Sequence, residues 1–131
     1  MRLQNKVAVI TGASSDIGTD ISKRFVDEGA TVIMLGRNMK SLEKAHSTIK
    51  NKDLAVSISC DITDESQVLS VIEQIVGKYG KIDVLVNNAA KINDAIHFHE
   101  MKDSDIVDLV NTNILGTFKI TNAVITKMLD V

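Results

Sequence analysis

The sequence has no proline, no tryptophan and a single cysteine, and aromatic residues make up 3% of its 131 positions. Without proline, no stretch has the composition of a stiff linker, and the length is that of one domain. The single cysteine, Cys60, cannot form an internal disulfide, and its place after an apolar run predicts a small buried side chain. The few aromatics and the net charge of −2 offer neither stacking surfaces nor a basic face, which argues against nucleic-acid binding.

A long apolar run is also missing, since none approaches the roughly 20 residues that a membrane-spanning helix needs. The first five residues lead directly into a strand pattern, with no signal-peptide core. We therefore expect a cytoplasmic protein with no membrane partner. With 44% hydrophobic and 24% charged residues, the composition is that of an ordinary globular domain that can bury a core.

Short apolar runs alternate with helical patterns along most of the chain. The runs predict four strands, at Val7–Ile10, Thr31–Leu35, Leu54–Ser59 and Ile82–Val86. The helical patterns between them cover Ile17–Phe25, Leu42–Ile49 and Val68–Tyr79. Such alternation implies right-handed βαβ units. We therefore predict an α/β fold: a Rossmann-type, doubly wound parallel sheet of four strands in the order 3-2-1-4, with helices on both faces.

The last segment, Asp103–Val131, has the pattern of one long helix. Val107 and Val110 belong to one apolar stripe, while Leu109 and Ile120 lie on other sides. A helix that is apolar on more than one face is normally covered by a sheet on one side and by another helix or a second subunit on the other. A doubly wound sheet usually continues to a fifth and a sixth strand, and this sequence stops before them.

The stretch from Val7 to Gly18 joins a buried-strand pattern to a glycine turn and the start of a helix. Gly12 permits a tight turn, and Gly18 lets the helix pack closely on the strand. Ser14 and Ser15 can donate their hydroxyls to a phosphate or cap the helix. Such a turn aims unpaired backbone N–H groups and the positive helix end at an anion such as a pyrophosphate. The alternative is a plain strand-to-helix turn with a serine cap.

Three segments, in order and at suitable separations, resemble motifs of the short-chain dehydrogenase/reductase family. Thr11–Gly18 is similar to the family's Thr-Gly-x-x-x-Gly-x-Gly turn except at Asp16, and Asn87–Ala90 is similar to its Asn-Asn-Ala-Gly except at Ala90. Asn113–Gly116 resembles the family's Asn-Leu-x-Gly segment. The resemblance runs through the whole chain but covers only the N-terminal half of a typical member.

The resemblance implies an NAD(P)-dependent oxidoreductase that transfers a hydride between the nicotinamide and a small carbonyl or alcohol substrate. It also implies cofactor contacts along the glycine turn and after the second, third and fourth strands, at Gly12, Ser14, Ser15, Asp16, Ile17, Gly18, Arg37, Asp61, Ile62, Asn88, Ala89 and Ala90. Asn113 would be the one catalytic position present, where it holds the water that links the family's catalytic lysine to solvent. The alternative for Asn113 is a helix asparagine bonded to a neighbouring backbone.

Arg37 follows the second strand, where the adenosine ribose lies in this fold. An acidic side chain there accepts the ribose hydroxyls of NAD, whereas an arginine can bind the 2′-phosphate of NADP. With no acid beside Arg37, we predict NADP(H) rather than NAD(H); the alternative is a solvated surface arginine. Asp61 and Ile62 resemble the family's Asp-Val/Leu pair that contacts the adenine, although Asp61 could instead shape the turn into the next helix.

Asp16 stands where the family has the glycine that lets the backbone approach the pyrophosphate. If its carboxylate faced a phosphate at about 6 Å in an effective dielectric of about 20, the repulsion would be on the order of 3 kcal/mol, or about a hundredfold in affinity. If Asp16 instead lies in the first helical turn and points to solvent, the helix dipole stabilises it. We favour the second arrangement, and the first remains a hypothesis that a binding titration can test.

The family's other catalytic residues, a serine on the fifth strand and a Tyr-x-x-x-Lys pair on the following helix, are missing. The only tyrosine is Tyr79, and Asp83 stands four residues after it. We therefore expect residues 1–131 to be a truncated NAD(P)-binding domain that is inactive alone; a non-catalytic nucleotide-binding module and an inert fragment are the alternatives. An exposed fourth strand and last helix would favour self-association, as a homo-oligomer.

The loop after the fourth strand bears on the substrate. Asn93–Ala95 and Met101–Asp103 are similar to the same loop in 3-oxoacyl-[acyl-carrier-protein] reductases and related carbonyl reductases, which favours a 3-oxoacyl thioester. His97 and His99 could form a metal pair, but no carboxylate or cysteine stands at a recognised ligand spacing around them. No metal site is predicted.

Overall fold

The computed structural model describes residues 1–92 and 96–131, and it contains a parallel sheet of four strands in the order β3-β2-β1-β4. The strands are β1 (Val7–Ile10), β2 (Thr31–Gly36), β3 (Ala55–Ser59) and β4 (Val84–Val86). This order confirms the predicted Rossmann-type α/β fold. The predicted third and fourth strands began too early, because Leu54 belongs to a 3-10 turn and Ile82 precedes β4.

Five α-helices accompany the strands in the described ranges. They are α1 (Asp16–Asp27), α2 (Met39–Ser47), α3 (Glu65–Tyr79), α4 (Asp103–Val110) and α5 (Thr117–Leu129), with short 3-10 turns at Lys52–Leu54 and Phe98–Glu100. The first three begin at polar N-caps: the side chains of Ser15, Asn38 and Asp64 each accept a backbone N–H from the first turn. These caps fix where each helix leaves its strand, and so where the helix ends point.

The sheet is buried on both faces because β1 and β2 are apolar at every other position on each side. Val9 and Ile33 belong to a core shared with α3 and α5, whereas Ile10, Val32 and Met34 belong to a core shared with α1 and α2. All five of these side chains have no exposed surface. Helices therefore cover both faces, as the sequence predicts.

The C-terminal segment differs from the predicted single α-helix. A π-helical turn, Asn111–Gly116, joins α4 directly to α5, so the run is continuous but not uniform. At the end of this turn Gly116 lets the helix pack closely on the loop after β3, because a Cβ there would lie 2.9 Å from Cγ1 of Ile62. π-turns of this kind commonly occur at functional positions.

Within the described ranges, no helix has both the length and the apolar character needed to cross a membrane.

Asp83, the residue just before β4, holds the N-terminal end of β1. Its carboxylate accepts the N–H of Val7 at 2.8 Å and pairs with Lys81 at 3.0 Å and Lys6 at 3.7 Å. Partial burial acts to raise the pKa of Asp83, but the Val7 N–H and the two lysines outweigh it, and the pKa lies below its usual value.

Replacing Asp83 with asparagine should therefore lower the free energy of unfolding at pH 7 by about 1 kcal/mol. A lowered folded-state pKa means that the carboxylate stabilises the fold above its unfolded pKa, and that this contribution is lost as the pH falls through the folded pKa. Urea denaturation at pH 7 and in acid should show the gap between wild type and Asp83→Asn closing below about pH 4. Glu43→Gln, an exposed change on α2, is the control and should show no such gap. A gap that persists unchanged in acid would contradict this role.

Candidate nucleotide-binding site

A cleft of about 370 Å³ opens at the carboxyl ends of the four strands. Parallel strands all end at the same edge of the sheet, and this edge is where doubly wound folds bind their ligands. Of the residues predicted to contact a cofactor, the cleft brings together Gly12, Ser14, Ser15, Arg37, Asp61, Ile62, Asn88, Ala89 and Ala90. Four other predicted site residues lie outside its wall: Asp16, Ile17, Gly18 and Asn113.

The glycine turn between β1 and α1 has no room for a side chain at either of its glycines. Gly12 has φ +60°, and a Cβ on it would lie 2.8 Å from Cα of Ala89. A Cβ on Gly18 would lie 2.3 Å from the carbonyl oxygen of Gly12. The turn is thus pressed against the end of β4 on one side and against its own helix on the other. This close packing leaves an open cradle at the N-terminus of α1.

The two serines of the turn differ in which predicted role is open to them, capping the helix or donating to a phosphate. The Ser15 hydroxyl donates to the Gly12 carbonyl at 2.9 Å and accepts the Gly18 N–H at 3.0 Å, so it caps α1. It also accepts the Asn88 side-chain amide at 3.1 Å. In the part of the chain that the structure describes, no hydrogen bond engages the Ser14 hydroxyl, and Ser14 is exposed on the cleft wall. Ser14 is therefore the serine available to a phosphate.

Asn88 and Thr11 fasten the end of β4 to the glycine turn. The Thr11 hydroxyl accepts the backbone N–H groups of Asn88 at 3.1 Å and Ala89 at 3.0 Å. The Asn88 side-chain amide donates to the carbonyls of Thr11 at 3.2 Å and Gly12 at 2.9 Å. Asn88 thus shapes the cleft by tying two of its walls together, and Ala89 and Ala90 keep the adjoining wall small.

Arg37 stands on the cleft wall just after β2 and is exposed. Across residues 1–92 and 96–131, no ion pair or hydrogen bond engages its guanidinium. Asn38 and Ser41 line the same wall, and Asn38 Oδ1 accepts the Ser41 N–H at 3.0 Å. Asn38 and Ser41 were not among the predicted site residues, although an asparagine three residues before a serine at a helix start is a recognisable cap. Arg37 can therefore meet an anion without first breaking an internal ion pair.

Asp61 lines the cleft and also shapes the turn after β3. Its Oδ1 accepts the Thr63 N–H at 3.0 Å and the Thr63 hydroxyl at 2.7 Å, which is the turn-forming arrangement considered above. Cys60 beside it is buried, as predicted. Burial and the nearby Asp61 raise the pKa of the Cys60 thiol to about 11. The thiol thus stays protonated at neutral pH and is a poor nucleophile.

Asp16 and Ile17 occupy the first turn of α1 and point away from the cleft. Asp16 is exposed and lines a neighbouring groove between α1 and α2, together with Lys23 and Lys44. Ile17 is 67% exposed. The placement of Asp16 is the solvent-facing one, in which the positive end of the helix stabilises the carboxylate.

Removing the charge of Asp16 should therefore change dinucleotide affinity far less than the hundredfold estimated for a carboxylate that faces a phosphate. We expect Asp16→Asn to raise NADPH affinity by about threefold or less, because water screens an exposed charge outside the cleft. Isothermal titration of wild type and Asp16→Asn measures this, with Asp20→Asn one turn later as the control. A gain approaching a hundredfold would instead place the carboxylate against the phosphates.

Asn113 lies on the π-turn and holds the loop that leaves β4. Its Oδ1 accepts the Lys91 N–H at 2.7 Å, and its Nδ2 donates to the Lys91 carbonyl at 2.9 Å. The Asn113 side chain is thus bonded to the backbone of a loop that lies 22 residues earlier in the sequence, and its catalytic role stays a prediction. Thr112, its neighbour, lines the cleft and had no signal in the sequence that distinguished it.

Within the described residues, no cluster of three or more His, Cys, Asp or Glu side chains could hold a metal ion. His97 and His99 stack with their ring centroids 5.8 Å apart and are exposed. The loop residues Asn93–Ala95, which carried part of the resemblance to 3-oxoacyl reductases, lie outside the described residues.

Comparison with known proteins assigns this chain to a family. The family model for short chain dehydrogenases matches residues 6–131. The chain belongs to the short-chain dehydrogenase family. It is 40% identical over 132 residues to the 3-oxoacyl-[acyl-carrier-protein] reductase FabG of Thermotoga maritima, which covers 98% of this chain and 52% of that protein.

Two solved structures of short-chain dehydrogenases carry different dinucleotides. NAD⁺-bound xylitol dehydrogenase matches with a TM-score of 0.94 and 30% identity, over 99% of this chain and 50% of that one. A metagenomic short-chain oxidoreductase in complex with NADP matches with a TM-score of 0.90 and 27% identity, over 99% and 59%. Short-chain dehydrogenases thus use nicotinamide cofactors of both kinds. This chain spans about half the length of the curated relatives it matches.

Proposed function

We propose that this chain is the nucleotide-binding portion of a cytoplasmic, NADP(H)-dependent short-chain reductase. The observation that carries the proposal is Arg37, which lies on the wall of the cleft beside the glycine turn. Its guanidinium forms no ion pair or hydrogen bond with any residue that the structure describes. An arginine fork can bind the 2′-phosphate in two parallel hydrogen bonds. No acid precedes or follows Arg37 to accept the ribose hydroxyls of NAD.

The order of the strands gives the dinucleotide a direction. With the 2′-phosphate at Arg37 after β2, the adenine lies toward Asp61 and Ile62 after β3, because β3 is the neighbour of β2 on the outer side. The pyrophosphate crosses the end of β1 at the glycine turn and Ser14. The nicotinamide end then lies beyond β1, over Ala89 and Ala90 at the end of β4.

When bound, the cofactor supplies a hydride at the nicotinamide. The residues of this chain bind and orient it, and among the described residues none that lines the cleft has the role of a proton donor to a carbonyl. Tyr79, the single tyrosine, ends α3 and packs against the core, away from the cleft. We therefore propose that residues 1–131 bind the dinucleotide and show little turnover alone.

The substrate that we propose for the whole enzyme is a small carbonyl compound, of which a 3-oxoacyl thioester is the first to test. The identity shared with the Thermotoga reductase supports this choice. The test measures NADPH oxidation with an acetoacetyl thioester, using this chain alone and then fused to the C-terminal half of a relative. Binding of NADPH by this chain with activity only in the fusion is expected. Tighter binding of NADH than of NADPH would overturn the cofactor proposal.

We also propose that this chain associates with a second copy through the β4 edge and the α4 to α5 run. β4 pairs with β1 alone in the described sheet, and Val107 and Phe118 are 54% and 68% exposed. Sedimentation velocity should show association that grows with concentration and weakens in Phe118→Glu. Leu69→Glu, on the exposed side of α3, is the control and should leave association unchanged. A compact monomer at every concentration would contradict this arrangement.

A further inference from the structure

Lys91 is held by two separate anchors on the C-terminal helical run. Its backbone N–H and carbonyl are both bonded to the Asn113 side chain, and its Nζ pairs with Asp108 Oδ2 on α4 at 3.0 Å. The two anchors are five positions apart on one continuous run of helix. Lys91 thus joins the loop after β4 to α4 and to the π-turn at once.

These anchors lie directly behind the cleft wall at the end of β4. Ala90, the residue before Lys91, lines the cleft, and so does Thr112, the residue before Asn113. The wall is therefore formed by two segments that Lys91 and its partners join. Under the proposed function, this is the wall at the nicotinamide end.

The loop needs a second anchor because it has left the sheet. The Lys91 backbone groups are bonded to a side-chain amide, which can rotate, rather than to a neighbouring strand. Asp108 adds a contact from a different direction, and so restricts the rotation of the loop about the Asn113 amide. Since both charged side chains are partly exposed, the pair contributes little to global stability. Its effect is local, on the position of Ala90 relative to Thr112.

We propose that Lys91 and Asp108 are positioning residues that set the wall of the cleft at the nicotinamide end. The inference rests on the proposed function for the direction of the dinucleotide, but the contacts themselves do not depend on it. Breaking the pair should affect the nicotinamide half of a bound dinucleotide and leave the adenosine half unaffected.

The test compares NADPH with 2′,5′-ADP, which contains only the adenosine half and its 2′-phosphate. In Lys91→Met and in Asp108→Asn, NADPH affinity should fall by about two- to fivefold, while 2′,5′-ADP affinity and the midpoint of urea unfolding stay unchanged. Lys91→Arg, which keeps the charge, should restore NADPH affinity. The double variant should lose no more than either single variant.

The matched control is Glu73→Gln, which breaks the Lys127–Glu73 ion pair between α3 and α5, away from the cleft. This variant should change the affinity for neither NADPH nor 2′,5′-ADP. Equal losses for both ligands in Lys91→Met, or the same losses in Glu73→Gln, would overturn the positioning role.

Amide hydrogen exchange separates this inference from the proposed function. The Lys91 amide should exchange several-fold faster in Asp108→Asn than in wild type and should be unchanged in Glu73→Gln. If wild type bound neither ligand, the proposed function would fail while faster exchange at Lys91 still supported the anchor. Unchanged exchange in Asp108→Asn would overturn the anchor whatever the ligands do.

Discussion

Gly18→Ala should destabilise the domain by about 3 kcal/mol, the largest loss expected from any single methyl group here. The new Cβ would lie 2.3 Å from the Gly12 carbonyl oxygen and 2.9 Å from Cα of Ala13. Both are backbone atoms, so relief requires α1 to move away from β1. For a domain of this size the melting temperature should fall by about 10 °C.

Gly77→Ala is the matched control, because Gly77 lies inside α3 and a Cβ there meets no atom within 4 Å. In a helix interior, alanine is favoured over glycine by about 0.5–1 kcal/mol, so this variant should be more stable than wild type. Thermal and urea unfolding of both variants measure the contrast. If Gly18→Ala melted at or above the wild-type temperature, the close packing of the glycine turn described above would be wrong.

Arg37→Ala should weaken NADPH binding by about ten- to a hundredfold and leave NADH binding unchanged. The loss corresponds to one set of charge-assisted hydrogen bonds to the 2′-phosphate, which NADH does not have. The affinity difference should shrink as salt is added, because Arg37 is exposed. Titration with both dinucleotides at low and high ionic strength measures the effect.

The control for Arg37 is Lys40→Ala, which removes an exposed cation three residues later that does not line the cleft. It should change both affinities by less than about twofold, since a charge outside the site acts only through screened long-range attraction. An equal loss of NADPH and NADH in Arg37→Ala would show that the arginine supports the cleft generally. It would then have no part in recognising the 2′-phosphate.

The sheet could be predicted because its information is local. The strands β1 and β2 are short, β-branched and apolar on both faces, which only a sheet covered on both sides explains. The roles of Gly12 and Gly18 could also be predicted from their places in the turn. In the structure Gly12 adopts a positive φ, and Gly18 leaves no space for a Cβ. The Ser15 cap of α1 could be predicted in the same way, whereas the Asn38 cap of α2 was not predicted.

The parts that could not be predicted depend on contacts between distant segments. Ser15 was a candidate phosphate ligand until its hydroxyl was seen to be shared by the Gly12 carbonyl, the Gly18 N–H and the Asn88 amide. Asn113 is hydrogen-bonded to Lys91, 22 residues away, and no residue pattern near either position indicates that contact. The π-turn was likewise not predicted, because the apolar positions of residues 103–131 fit one continuous helix.

The bonds that tie Asn88 to the glycine turn also constrain the order in which the protein can be completed during synthesis. Asn88 and Thr11 are 77 residues apart, so the turn emerges from the ribosome long before its partner does. Until then the Thr11 hydroxyl cannot accept the N–H groups of Asn88 and Ala89, and the proposed phosphate site lacks one of its walls. A nascent chain should therefore gain dinucleotide binding late, only once β4 has emerged and joined the sheet.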